Sequence, residues 1–199
     1  MSLGNEGLVV LTIAYNSHKA LKSLLSDLCL QTEHPRKWII VNNSPHSAGS
    51  IKLDAPFPIK VINGVQGAGF AEGCNQGLDE LANESWNGWV WLLNPDINIK
   101  FSLTISSLKQ SLAPLPLDAL VGTAVLDFEN NLEKSAGWID PGFHFRKRKV
   151  TKELMQAYKN QTLSLDWLSG CSLVFNPSSH IEKPRFDSSF PLYYEDMDF

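Results

Sequence analysis

The first apolar run, Leu8–Ala14 (LVVLTIA), is continuous, rich in β-branched residues and flanked by polar ones. Such a run predicts a strand buried on both faces, the pattern of a parallel sheet. The apolar period then changes. Leu21, Leu24, Leu25 and Leu28 fall at i, i+3, i+4 and i+7, the stripe of an amphipathic helix. Asn16 or Ser17 is its predicted cap, and Pro35 closes the unit. Residues 38–41 (WIIV) predict a second strand that ends in turn chemistry at Asn42, Asn43, Ser44 and Pro45; residues 59–62 predict a third. The glycine-rich stretch 64–73 predicts a turn, followed by a helix through Leu78 and Leu81. Residues 89–93 (WVWLL) predict a core strand stopped by Asn94, Pro95 and Asp96. Phe101, Ile105, Leu108 and Leu112 mark another helical stripe, broken by Pro114 and Pro116. Residues 120–128 and 165–175 read as further strands. Strands alternating with helices predict a layered α/β domain, a mainly parallel central sheet with helices on both faces. Residues 1–199 read as a single domain, with no internal repeat and no low-complexity linker.

Composition narrows the class. Of the 199 residues, 43% are hydrophobic and 19% charged, a globular balance. Seventeen Lys and Arg against twenty-one Asp and Glu leave a net charge of −4, which argues against a nucleic-acid binder that relies on global charge. No apolar stretch approaches the roughly 20 residues of a transmembrane helix, and the amino terminus lacks a basic-then-apolar secretion pattern. Cys29, Cys74 and Cys171 are far apart and odd in number, which suggests neither a disulfide framework nor a zinc site. The expectation is a soluble cytoplasmic protein. Arg146, Lys147, Arg148 and Lys149 form the only basic run, read either as a solvated loop or as a peripheral contact to an anionic lipid diphosphate or the inner face of the plasma membrane.

In open parallel sheets, ligands gather outside the carboxyl ends of the strands. Four polar clusters here follow predicted strands: Tyr15-Asn16, Asn42-Asn43-Ser44, the glycine-rich turn, and Asn94-Pro95-Asp96. Glycines at 67, 69, 73 and 77 permit either close ligand approach or a tight strand-to-helix connection. Their spacing, GxGxxxG after the third strand, is not the dinucleotide fingerprint. Asp96, behind a rigid Pro, either stops the strand or offers oxygen to a hard cation that shares phosphates. Glu195, Asp196 and Asp198 set three carboxylates beside Tyr193 and Tyr194, able to take up a proton or a metal, or simply to face solvent.

Taken in order, these motifs resemble the family 2 glycosyltransferases of the GT-A fold, especially the bacterial rhamnosyltransferase-like branch. The opening strand with its Tyr-Asn end is VVLTIAYNS; the "VDNxS" element is Val41-Asn42-Asn43-Ser44. The glycine segment NxGFAxGxNxG is matched from Gly67 to Gly77, and the LNPD motif is Leu93 to Asp96. A late glycine strand is matched in degraded form from Gly170 and Cys171 to Asn176. The closing "FDexFFxYxEDxDL" is mirrored from Phe186 to Phe199.

The resemblance implies an inverting transfer of a sugar from a UDP- or dTDP-linked donor to an acceptor hydroxyl, with dTDP-rhamnose suggested by the branch. Asp96, standing for the second acidic residue of the family's DxD, would hold Mg2+ or Mn2+ on the donor diphosphate. Asp196 would be the general base, and Glu195 would orient the acceptor or the base. Tyr15, Asn16, Asn42, Asn43, Gly69, Gly73, Asn75 and Asn94 would line the nucleotide pocket, and Gly170 and Cys171 would border sugar and acceptor. The implied acceptor is a saccharide or lipid-linked saccharide of a cell-surface polysaccharide. Three departures stand out. Asn42 replaces the family's usual Asp, Gly67 replaces an Asn, and the sequence ends at Phe199 without the usual helical extension. The last departure makes a non-catalytic nucleotide-sugar-binding relic the rival reading. A nucleotidyltransferase would need a glycine-rich loop with a basic residue at the amino terminus, and residues 8–16 have neither.

Overall fold

The computed structural model describes residues 7–44, 51–65, 67–132, 136–140, 146–149, 151, 153, 164–179 and 183–189. Its elements, in chain order, are β1 (Leu8–Ala14), α1 (His18–Cys29), β2 (Lys37–Asn42), β3 (Ile59–Asn63), α2 (Phe70–Asn83), β4 (Trp89–Leu93), α3 (Thr104–Leu112), β5 (Val121–Gly122), β6 (Ala136–Asp140), β7 (Arg146–Lys149), β8 (Trp167–Leu168) and β9 (Ser172–Phe175). The main sheet runs β3-β2-β1-β4-β9-β5, and a second sheet runs β7-β6-β8. β3, β2, β1 and β4 are parallel, while β9 lies antiparallel to both β4 and β5. The mainly parallel sheet of the sequence reading is therefore present.

Every residue of β1 is buried, because the strand alternates its side chains between two covered faces. On one face, Leu8, Val10, Trp38 and Ile40 pack against Leu21, Leu24 and Leu28 of α1 and Ile105 and Leu112 of α3. On the other, Val9, Leu11, Ile13 and Ile39 pack against Ala71, Cys74, Leu78 and Leu81 of α2. Each such side chain contributes roughly 1.5–3 kcal/mol by leaving water. Thr12 is the polar exception within β1; it is fully buried and its hydroxyl accepts the Trp38 Nε1–H at 3.0 Å. α2 approaches β1 very closely. A Cβ added at Gly77 would stand 2.4 Å from Leu11 Cδ1, so only glycine fits there.

Four local expectations are corrected. Residues 120–128 do not form one strand: only Val121–Gly122 pair, and beyond them Leu126 bridges Leu132 across a turn. The cause is Asp127, whose Oδ1 accepts the backbone N–H groups of Glu129 and Asn131 and so folds the chain back. Residues 165–175 split into β8 and β9, which belong to different sheets. The break falls at Ser169-Gly170-Cys171, where the Ser169 hydroxyl accepts the Cys171 N–H at 3.3 Å. Phe101 is outside α3 and 72% exposed; its carbonyl instead accepts from Thr104 and from the buried Gln31 amide. Ser17 occupies the cap position of α1, yet its hydroxyl donates to the Tyr15 carbonyl and caps nothing.

Among the described residues, no helix is long and apolar enough to cross a membrane. The basic run forms β7, paired with β6.

Candidate functional site

Because β1 to β4 are parallel, the four polar clusters that follow them emerge at one edge of the sheet. Hydrogen bonds join neighbouring exits. After β1, Asn16 adopts a left-handed backbone (φ 52°), which Asn tolerates well, and its N–H donates to Ser44 Oγ at 2.8 Å. After β2, the Asn43 N–H donates to the Ala14 carbonyl, extending the β1–β2 ladder by one step. The Ser44 N–H donates at 3.1 Å to Asn42 Oδ1, an Asx turn. Tyr15 stands clear of this mesh, 62% exposed.

The β2 exit is also fastened to the start of α2. Asn43 Nδ2 donates to the carbonyls of Ala68 and Gly69, at 3.3 and 3.1 Å. Its Oδ1 is buried without a partner among the described residues and presses on Gly64, where an added Cβ would stand 1.9 Å away. Gly69 caps α2 with no side-chain bond, so among the described residues no side chain caps the first-turn N–H groups, the donors that an anion seeks. At the β4 exit, Asn94-Pro95-Asp96 is a turn closed by the Ile97 N–H on the Asn94 carbonyl. The Asn94 N–H donates to the Cys171 carbonyl at 3.0 Å, which brings Gly170 and Cys171 to the same edge. Asp96 is exposed, and its carboxylate has no partner among the described residues.

Tyr15, Asn16, Asn42, Asn43, Gly69, Asn94, Asp96, Gly170 and Cys171 therefore share one edge of the sheet. Two further residues of the predicted nucleotide pocket are engaged within the fold. Gly73 is buried inside α2, where a Cβ would stand 2.7 Å from Ile13 Cγ2, so its missing side chain serves helix-to-sheet packing. Asn75 has both amide atoms committed to the chain around Phe186. The first-turn Glu72 reaches that stretch too, accepting from the Ser188 hydroxyl at 3.0 Å. A bond from the Ser189 N–H holds the Asp187 carboxyl below the usual carboxylate range. Asp196 and Glu195 lie outside the described residues.

Among the described residues there is no group of three or more His, Cys, Asp or Glu placed to hold a metal. One free carboxylate still fits a hard cation of the Mg2+ type, which usually takes one or two protein carboxylates and fills its shell with water and phosphate oxygen. A cavity of about 370 Å³ lined by Trp86, Pro177 and Arg185 lies at the opposite end of the sheet from the strand exits, beside the segment that leads into Phe186.

The family model described as Glycosyl transferase family 2 matches residues 9–169. The chain belongs to that family. Among curated relatives of this family 2 member, the N-acetylglucosaminyl-diphospho-decaprenol L-rhamnosyltransferase of Mycobacterium tuberculosis is 22% identical over 210 residues, covering 96% of the chain and 68% of the relative. Two solved glycosyltransferases share its fold. The mannosyltransferase PcManGT from Pyrobaculum calidifontis, in complex with GDP-Man and Mn2+, superposes with a TM-score of 0.58 at 13% identity over 91% of this chain. S. aureus TarS 1-349 in complex with UDP gives 0.55 at 13% identity over 96%. The chain spans about half the length of each, 47% and 53%. The fold is the GT-A fold expected of family 2.

Proposed function

We propose that the protein moves a glycosyl group from a pyrimidine nucleoside-diphosphate sugar to a hydroxyl of a saccharide or lipid-linked saccharide, with inversion at the anomeric carbon. The observation that carries this reading is the meeting of four strand exits and the unpaired Asp96 carboxylate at one edge of a family 2 fold. UDP- and dTDP-linked sugars are the donors to test first, with rhamnose favoured by the curated relative's name. That name also makes a diphosphate-linked lipid a reasonable carrier for the acceptor, which would bring the protein to a membrane face from the cytoplasm.

Asp96 is the residue that would hold Mg2+ or Mn2+ against the donor diphosphate. When bound, such a cation offsets the charge that grows on a departing diphosphate. The chain's own residues do the remaining work. Tyr15 offers an exposed ring to the base, and the first turn of α2 presents N–H donors to phosphate oxygen. Asn94 and Cys171, bonded to each other, fix the sugar-side wall. Asp196 is the proposed base: its carboxylate accepts the acceptor's hydroxyl proton as the oxygen attacks from the side opposite the diphosphate, and Glu195 orients that hydroxyl.

The test is a transfer and donor-hydrolysis assay with UDP- and dTDP-sugars plus Mn2+, run on the protein and on Asp196→Asn. Turnover lost in the variant is expected. Donor binding with no turnover in either protein would replace this reading with a nucleotide-sugar-binding protein.

A further inference from the structure

The cavity at the far end of the sheet lies between the carboxyl end of α2 and the residues around Pro177 and Pro184. Its volume, about 370 Å³, falls within the range of about 300–1,000 Å³ usual for small-molecule sites. The sequence builds its wall locally. α2 ends at Asn83, and Ser85 takes a left-handed backbone (φ 54°) that turns Trp86 back onto the helix, its N–H on the Leu81 carbonyl at 2.9 Å. The indole is held there by close packing, since a Cβ added at Gly88 would stand 2.7 Å from Trp86 Cζ2. With Leu78, Leu81 and the two prolines, it gives the cavity a rigid apolar side.

The polar lining groups are not equivalent. Ser178 Oγ is engaged with Asn87 and Asn176, and Arg185 with Asp79 and the Asn75 carbonyl. The Lys183 ammonium is exposed and has no partner among the described residues. No carboxylate, His or Cys is among the described lining residues, so the wall offers no acid–base pair and no counter-charge to Lys183. A helix carboxyl end ordinarily repels an anion through its free carbonyls. Here the carbonyls of Glu80, Leu81 and Ala82 accept the N–H groups of Glu84, Trp86 and Ser85, and the Glu84 carboxylate is paired with Lys37 and Lys60. We infer that the cavity is a second ligand site, which binds a small amphipathic acid with its apolar body against Leu81 and Trp86 and its anion on Lys183. The site binds without catalysing, and it stands independently of the donor reading above.

Anilinonaphthalene sulfonate, an aromatic body with one negative charge, is the probe, and phenylnaphthylamine, the same rings without the charge, is its control. Both are titrated by fluorescence into the full chain. The expected result is one saturable site that takes the anion about tenfold tighter than the neutral control, in line with one hydrogen bond to a charged group. Lys183→Glu is expected to remove that difference. Ala82→Trp, which fills the cavity from an exposed position on α2, is expected to remove saturable binding of both probes while the denaturation midpoint stays in place. Absence of saturable binding, equal affinity for the two probes, or the same preference in Lys183→Glu overturns the inference. So does binding that survives in Ala82→Trp, or displacement of the probe by UDP with Mn2+, which would move the site to the strand exits.

Discussion

The side chain of Asn75 on α2 pairs with the backbone of Phe186 through two opposed hydrogen bonds. Asn75 Nδ2 donates to the Phe186 carbonyl at 2.9 Å, and the Phe186 N–H donates to Asn75 Oδ1 at 3.0 Å. Arg185 strengthens the join, donating to the Asn75 carbonyl at 3.0 Å and pairing with Asp79. Phe186 is 2% exposed and meets Phe70 edge-on, so the segment is seated on α2 as well as bonded to it. Asn75→Ala removes both bonds to Phe186, together with a longer one to Ser188 Oγ, and leaves two backbone groups unpaired. We expect a loss of about 2 kcal/mol, near 1 kcal/mol per bond, read by urea denaturation. A change within about 0.5 kcal/mol would show that water replaces the amide at no cost.

Gly77 makes a second prediction because two effects oppose each other there. Alanine in a helix is favoured over glycine by roughly 1 kcal/mol. The added Cβ would nevertheless meet Leu11 Cδ1 at 2.4 Å, in a core where Leu11 is 1% exposed. Overpacking of this kind costs about 1–3 kcal/mol, so Gly77→Ala is expected to destabilise the protein despite the better helix former. Combining it with Leu11→Ala tests the cause. The double variant is expected to be more stable than the sum of the single losses, and simple additivity would place the clash elsewhere.

Acid sensitivity follows from Glu84 at the carboxyl end of α2. The Lys37 ammonium bonded to it, with Lys60 behind, holds its carboxyl below the usual range, although partial burial opposes this. The folded state thus prefers the charged form. Its stabilising effect is complete above the ordinary glutamate value of about 4.3 and is lost as pH falls through the lowered folded value. The pair is partly exposed, so the effect is below about 1 kcal/mol. Glu84→Gln is expected to flatten the acid limb of a plot of denaturation midpoint against pH and to leave the alkaline limb unchanged. An unchanged acid limb would assign it to other carboxylates.

Asp96 should separate binding from folding. Being exposed and without a partner among the described residues, it contributes little to the fold, and Asp96→Asn is expected to leave stability within about 0.5 kcal/mol. The same change is expected to remove the part of nucleoside-diphosphate binding that responds to Mn2+, measured with the metal and with a chelator. Equal metal dependence in both proteins would exclude Asp96 as the ligand.

The four parallel strands and the clusters after them are legible in the sequence because β-branched apolar runs ending in Asn, Pro or Gly carry both signals locally. What is not legible depends on distant partners. No local pattern shows that Asn75 is committed to a residue 111 positions away. Gly73 reads as a place for a ligand to approach, because a glycine that lets a helix meet Ile13 looks the same in one dimension. Residues 165–175 are apolar enough for one strand, and only the Ser169–Cys171 bond reveals the break. The orientation of the Asn42 amide likewise depends on where Ser44 turns back.

Only Ser169, Gly170 and Cys171 separate a strand of the small sheet from a strand of the large one, and the Cys171 carbonyl is held by Asn94. That junction has no slack. The three-stranded sheet is leashed to the rim beside Asp96, and Leu168, packed on Gly122 and the main core, seats it there.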